Sequence, residues 1–239
     1  MFVLKFIAII FFDIIDKFIH QKRIINFLKK INIKISTLID VGSHKGLYTD
    51  LFLRNFNIKM VYMFEPQKKF YKLIKKKYKN RNKIQIFNNA ISDRNTEKKI
   101  YINKHDLTSS LTKSNKNNFY LNMKAKLFGG NLDNMITASY NVKTVRLSDI
   151  IKKKKIKSVD LIKIDTEGHE LNVIKGLAKE ISKIKVILIE FHTNDIYINY
   201  NSNKIHKYLI KKDFVLKKTI KFPFTKWEDR IYLKNTRRL

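Results

Sequence analysis

The stretch Thr37-Leu38-Ile39-Asp40-Val41-Gly42-Ser43-His44-Lys45-Gly46 decides the fold. Its first five residues have the apolar and β-branched character of a short strand. A turn with two glycines follows, and then the helical pattern Leu47–Phe56. Glycines in such a turn let the backbone bend sharply and approach a ligand that a Cβ would hold away. The helix start adds unpaired N–H groups suited to an anionic group such as a carboxylate. A dinucleotide site would also want a glycine at the middle position, as in Gly-x-Gly-x-x-Gly. His44 stands there instead, and an acid, Asp40, lies two residues before Gly42. The turn therefore suits a cofactor bearing a methionine better than a pyrophosphate, which disfavours a nicotinamide dehydrogenase.

On either side of this turn the chain alternates short apolar runs with helical stretches. Met60–Phe64, Ile84–Phe87, Val159–Ile164 and Val186–Glu190 join Thr37–Val41 as expected strands. Gln67–Tyr78, Leu147–Lys152, Glu170–Ile181 and Ile205–Lys211 are expected helices, and Phe214–Phe222 with Arg230–Leu233 an antiparallel pair. Such alternation predicts an α/β fold, a mostly parallel sheet with helices on both faces. Ligands of these sheets bind at the carboxyl ends of the strands, near the point where strand order reverses.

The residues after each strand carry chemistry. Phe64-Glu65-Pro66 puts an acid at the tip of the second strand, about 20 residues past the glycine turn, where a carboxylate grips a ribose diol. Pro66 favours a first helical turn, so Glu65 also reads as a helix-start acid; one side chain can serve both ends. Asn88-Asn89-Ala90-Ile91-Ser92-Asp93 follows the third strand, at the height of an adenine edge, although Asn and Ser also mark ordinary turns. After the fourth comes Asp165-Thr166-Glu167-Gly168-His169-Glu170, three carboxylates and a histidine in six residues. Like charges this close raise one another's pKa, a frequent mark of functional sites. The plainer reading is helix capping by Asp165 or Thr166, with acids complementing the dipole. The next strand runs into Glu190-Phe191-His192 beside it. Asp165, Glu167 and His192 are the candidate bases or orienting groups for a reaction at this edge. No metal is assigned, with a divalent cation held by the acids and His192 as the alternative.

Composition bounds the partners. The 239 residues suit one large domain, and a hydrophobic content of 44% supplies a core. Lys+Arg at 51 against Asp+Glu at 20 gives +31, which alone suggests a polyanion partner. The excess is nearly all Lys and accompanies heavy use of Ile and Asn, the signature of an AT-rich genome, whereas Arg, the better fork for phosphate and guanine, is scarce. Nucleic acid is therefore not the expected partner. The absence of Cys excludes disulfides and thiolate metal sites and agrees with a cytoplasmic location. Residues 1–30 read as an N-terminal amphipathic helical segment before a domain over 31–239. Lys5, Asp13, Asp16, Lys17 and His20 gather on one face and Leu4, Ile7, Phe11, Ile14, Ile15 and Phe18 on the other. Packing on the domain or on a second subunit is the plainer reading, and peripheral membrane contact through residues 1–20 the functional one.

The ordered motifs resemble an FkbM-type methyltransferase: Asp40-Val41-Gly42-Ser43-His44-Lys45-Gly46, Phe64-Glu65-Pro66, Lys163-Ile164-Asp165-Thr166-Glu167-Gly168-His169-Glu170, and on through Val173-Ile174-Lys175-Gly176-Leu177-Ala178 to Ile189-Glu190. The resemblance spans roughly Ile35 to Phe191. It implies a Rossmann-like class I methyltransferase fold with a seven-stranded sheet, S-adenosylmethionine as donor, and O-methylation of a sugar or small-molecule hydroxyl. By position it implies that Asp40, Gly42 and Gly46, with Ser43 and His44, line the methionine end of the cofactor. It likewise assigns Glu65 to the ribose, Ala90 and its neighbour Asn89 to the adenine, and Asp165 and Glu167 to the reaction centre. Ser43-His44 departs from the Ala-Asn usual in this turn. The acceptor pocket is expected in a variable insertion over about 104–141, polar and Asn-rich, with Ser109-Ser110-Leu111 near its start. An RNA methyltransferase and a non-catalytic polyanion- or membrane-binding protein on the same scaffold are the competing readings.

Overall fold

The computed structural model describes residues 15–103, 109–127, 136–192, 195–223 and 225–235. A seven-stranded sheet forms the centre. Its strands are β1 (Thr37–Val41), β2 (Met60–Phe64), β3 (Ile84–Phe87), β7 (Val159–Ile164), β8 (Ile184–His192), β9 (Phe214–Lys221) and β10 (Trp227–Lys234). They run in the order β3-β2-β1-β7-β8-β10-β9. All neighbours are parallel except β10, which pairs antiparallel with both β8 and β9. The expected mostly parallel, seven-stranded α/β sheet is thus present. Strand order reverses between β1 and β7, and that places a crevice beyond Val41 and Ile164.

Period-two alternation divides the core between the faces. Leu38, Val61, Leu161, Val186 and Leu188 point to one side, under α1 (Gln21–Lys30), α2 (Leu47–Asn55) and α3 (Lys68–Lys77). Ile39, Tyr62, Ile162, Ile187 and Ile189 point to the other, under α5 (Leu147–Lys153), α6 (Glu170–Lys175) and α7 (Ser202–Lys211). Ile24, Leu28, Phe52 and Ile74 anchor the first set of helices, and Ile151, Val173, Ile174 and Leu209 the second, all fully buried. Asp160 braces the far end of the sheet: its Oδ2 accepts from the Ser36 and Thr37 amides at 2.9 Å each.

Several expectations are revised. The single helix expected over Glu170–Ile181 breaks after Lys175 and resumes as a 3₁₀ turn, Ala178–Lys183. A Cβ on Gly176 would lie 2.2 Å from the Ser92 carbonyl oxygen, and Ala178 has φ +48°, so the chain turns at this contact rather than continuing. A second sheet was not expected. β4 (Ala90–Ile91), β5 (Thr96–Asn103) and β6 (Ile136–Val145) form it in the order β4-β6-β5, around Ala90, Ile100 and Val142. The last part of the 104–141 stretch therefore belongs to a strand, and α4 (Phe119–Leu127) lies within it.

Over the described residues from Ile15 the helical wheel holds for Ile15, which is buried, and fails for His20 and Phe18. His20, expected on the polar face, is fully buried, with Nε2 2.7 Å from Asp229 Oδ2 and its ring against Phe222 and Trp227. Phe18, expected on the apolar face, is exposed. Asp16–His20 is a π-turn, whose wider pitch rotates side chains away from a 100° wheel. The rest of the amphipathic pattern, residues 1–14, lies outside the described residues. No helix among those described is long and apolar enough to cross a membrane.

Candidate active site

The crevice is built from strand ends. On the β1 side, the Gly42 and Ser43 amides both donate to the Phe64 carbonyl, at 3.0 and 3.1 Å, which folds the turn back over β2. Gly42 has φ +82°, and a Cβ there would lie 1.8 Å from the Asp165 carbonyl oxygen. Only glycine allows the two central loops to meet so closely. Asp40 is buried beneath the turn. Its Oδ2 accepts from Thr49 Oγ1 at 2.6 Å, while its Oδ1 is buried without a hydrogen-bond partner. Glu65 is buried too, accepting from the His44 amide at 2.8 Å and the Gln67 amide at 2.7 Å. Burial pushes its carboxyl up to about 7, against the lowering effect of those two amides.

The opposite lip holds the charge. Lys163 is almost fully buried, with Nζ 2.6 Å from Asp165 Oδ2 and 4.3 Å from the Tyr48 ring centre. Burial alone would raise the Asp165 carboxyl; the Lys163 ammonium reverses this and holds it below the usual carboxylate range. The Asp165 and Glu190 carboxyls share a hydrogen bond, and burial with the charges of Asp165 and Asp229 pushes Glu190 well upward. Glu167 occupies a left-handed backbone position, φ +55°, and burial and the neighbouring Glu190 push its carboxyl to about 8. Tyr197 donates a hydrogen bond to Glu167 Oε2. His192 Nε2 stands 3.1 Å from Glu190 Oε2 and 3.7 Å from Glu167 Oε2.

Glu170 supports rather than reacts: its Oε1 accepts from the Thr166 amide, the Thr166 hydroxyl and the Gly168 amide, at 3.0–3.1 Å. Ser110 Oγ donates to the Glu167 carbonyl at 2.5 Å and Thr112 Oγ1 to the Gly168 carbonyl at 3.1 Å, lacing the start of the variable stretch over this loop. His169, 3.0 Å from Ser92 Oγ, is pushed down to about 4 by burial and by Lys98, and is neutral at physiological pH.

One cleft gathers Asp40, Gly42, Ser43, His44, Glu65, Asn89, Ala90, Asp165 and Glu167. Two expected residues stand outside it. Gly46 shapes the turn, where a Cβ would meet the Tyr78 hydroxyl at 2.8 Å. His192 lies behind Glu167 rather than on the wall. Lys163 and Tyr197 escaped the sequence reading as site residues, whereas Glu190 was weighed with His192 as facing the cleft. Lys163 was visible at a strand end, but nothing local marks Tyr197, which meets Glu167 only through the fold.

A family model described as the methyltransferase FkbM domain matches residues 40–216, from the acid before the glycine turn to β9. The chain belongs to the FkbM methyltransferase family. It thus carries a methyltransferase domain, and S-adenosylmethionine is the cofactor of such domains. The solved FkbM methyltransferase of Methylobacillus flagellatus KT superposes with a TM-score of 0.52 at 16% identity, over 83% of this chain and 43% of that one. TrmK of M. capricolum, solved with S-adenosylhomocysteine, gives 0.50 at 12% identity, over 88% and 67%. At such identities these likenesses establish the fold alone. A stretch of 54 residues is 28% identical to the hexuronic acid methyltransferase AglP of Haloferax volcanii, 23% of either chain. The matches thus span less than half of the solved FkbM chain and under a quarter of the curated relative.

Proposed function

We propose that this FkbM family member transfers a methyl group from S-adenosylmethionine to a sugar hydroxyl. The observation that carries the reading is the cleft at the switch point, with cofactor-type groups on one lip and Asp165 and Glu167 on the other, Glu167 backed by His192. The cofactor suits the residues present. The unpartnered Asp40 Oδ1 offers an acceptor for the methionine ammonium, and the exposed side of the Gly42-Ser43-His44 turn lies beside it. Glu65 takes the ribose diol, Asn89 and Ala90 border the adenine, and Gly46 keeps the turn in shape.

When bound, the cofactor supplies an electrophilic methyl group. The chain aligns the acceptor oxygen with that methyl and removes the hydroxyl proton. Asp165, Glu167 and His192 form the acceptor-side group that does so. A sugar acceptor is favoured by the hexuronic acid methyltransferase similarity and by a pocket edge rich in polar side chains, Ser109 and Ser110 among them. Incubation with labelled S-adenosylmethionine and a panel of neutral sugars and hexuronic acids tests this. Label stable to mild alkali, an ether, is expected. Label released by alkali would be a carboxylate ester and would overturn hydroxyl methylation.

A further inference from the structure

We propose that Glu167, Glu190 and His192 form a binding site for a divalent cation just behind the acceptor-side wall of the cleft, which Glu167 lines. Among the described residues these three bring one ligand atom each within 4.8 Å of one another. Their origins make the geometry stiff. Glu190 and His192 alternate along β8 and so share a face, while Glu167 rides the tight loop after β7. Tyr197 and the Ser110 bond to its carbonyl fix Glu167 from outside, as supporting groups commonly orient metal ligands.

Two further observations point to a ligand. His192 is more than nine-tenths buried and its Nε2 stands 3.1 Å from Glu190 Oε2, yet neither atom makes a hydrogen bond in that geometry. Charge balance agrees. Three carboxylates, Asp165, Glu167 and Glu190, meet here, and the Lys163 ammonium is committed to Asp165 at 2.6 Å. Glu167 is left with the Tyr197 hydroxyl and Glu190 with the Asp165 carboxyl, and both face the His192 imidazole. Two buried negative charges need protons or a doubly charged ion. Two carboxylate oxygens and one imidazole nitrogen suit a first-row divalent ion such as Mn²⁺ and leave coordination positions open.

The use of the site rests on the methyl-transfer reading. A cation there would reach the cleft through Glu167 and would make an acceptor hydroxyl placed against that wall more acidic. The hydroxyl's proton would leave to solvent as its oxygen bonds to the methyl carbon, while the carbon–sulfur bond breaks with its electron pair going to sulfur. This sorts the acceptor-side residues into ligands, Glu167, Glu190 and His192, and a charge partner of Lys163, Asp165.

The test is a Mn²⁺ titration of the metal-free full chain, without cofactor or acceptor, followed by loss of the free-ion electron paramagnetic resonance signal. A single site is expected, weakened at least about tenfold in Glu190→Gln and in His192→Asn, and less so in Tyr197→Phe. S-adenosylhomocysteine binding and cooperative thermal unfolding of the same samples report an intact cleft. Retained S-adenosylhomocysteine binding with no Mn²⁺ site, or a site unchanged in both ligand variants, overturns the proposal. Mn²⁺ binding that obeys these expectations while S-adenosylhomocysteine fails to bind supports the cation site and overturns the cofactor reading instead.

Discussion

Glu65 shows how a single carboxylate can be legible in sequence and still hold a surprise. Its place at the tip of β2 is what makes it the proposed ribose ligand, but its burial, which raises the carboxyl to about 7, is a property of the folded cleft. A ribose diol donates to the ionised form, so cofactor binding and ionisation of Glu65 are linked. The folded, cofactor-free protein holds this proton below about 7 and must release it on binding. Affinity for S-adenosylhomocysteine therefore rises as pH increases toward about 7 and levels off above it. Calorimetric titrations between about pH 6 and pH 8 should show this slope in the wild type and lose it in Glu65→Gln. Glu65→Gln should also bind about 10- to 100-fold more weakly at the upper end, the effect of losing about 1.5–3 kcal/mol of charge-assisted hydrogen bonding. A flat wild-type profile would remove Glu65 from the ribose.

At the scale of elements, the β1 and β7 loops meet because Gly42 has no side chain. Gly42→Ala places a methyl group 1.8 Å from the Asp165 carbonyl and requires φ +82° of a residue with a Cβ. A loss of roughly 2–4 kcal/mol in denaturant unfolding is expected, together with weakened S-adenosylhomocysteine binding. Unchanged stability would mean that the loops stand further apart. The main sheet was readable because its strands are continuous apolar runs and its helices carry one apolar face. The β5–β6 ladder was not. Most of β6 faces solvent, and only Ile100 and Val142 of the two strands are buried apolar residues, so neither strand shows apolar alternation. The turn proposed for the cofactor was readable for a related reason: Asp40 ends the apolar run of β1, and Gly42 and Glu65 follow β1 and β2 directly. The acceptor side was only half visible, because Tyr197 reaches Glu167 from 30 residues away and Lys163 looks, in sequence, like any lysine in a strand.

At the scale of the molecule, a charge of +31 on a methyltransferase proposed to act on a sugar needs an account. Most of the excess is Lys at exposed positions such as Lys34, Lys152, Lys153, Lys157 and Lys185, well outside the cleft lining. Attraction of polyanions to such a surface is screened by salt, whereas a reaction decided inside the cleft is not. The most direct test follows methyl transfer from radiolabelled S-adenosylmethionine into separated glycan, lipid and RNA fractions of the native cell, at low and at physiological salt. The account predicts label in a glycan or glycolipid at both salt concentrations, resistant to nuclease and absent with Glu65→Ala. Label confined to nuclease-sensitive material, and lost as salt is raised, would contradict it and make the basic surface the platform for an RNA substrate.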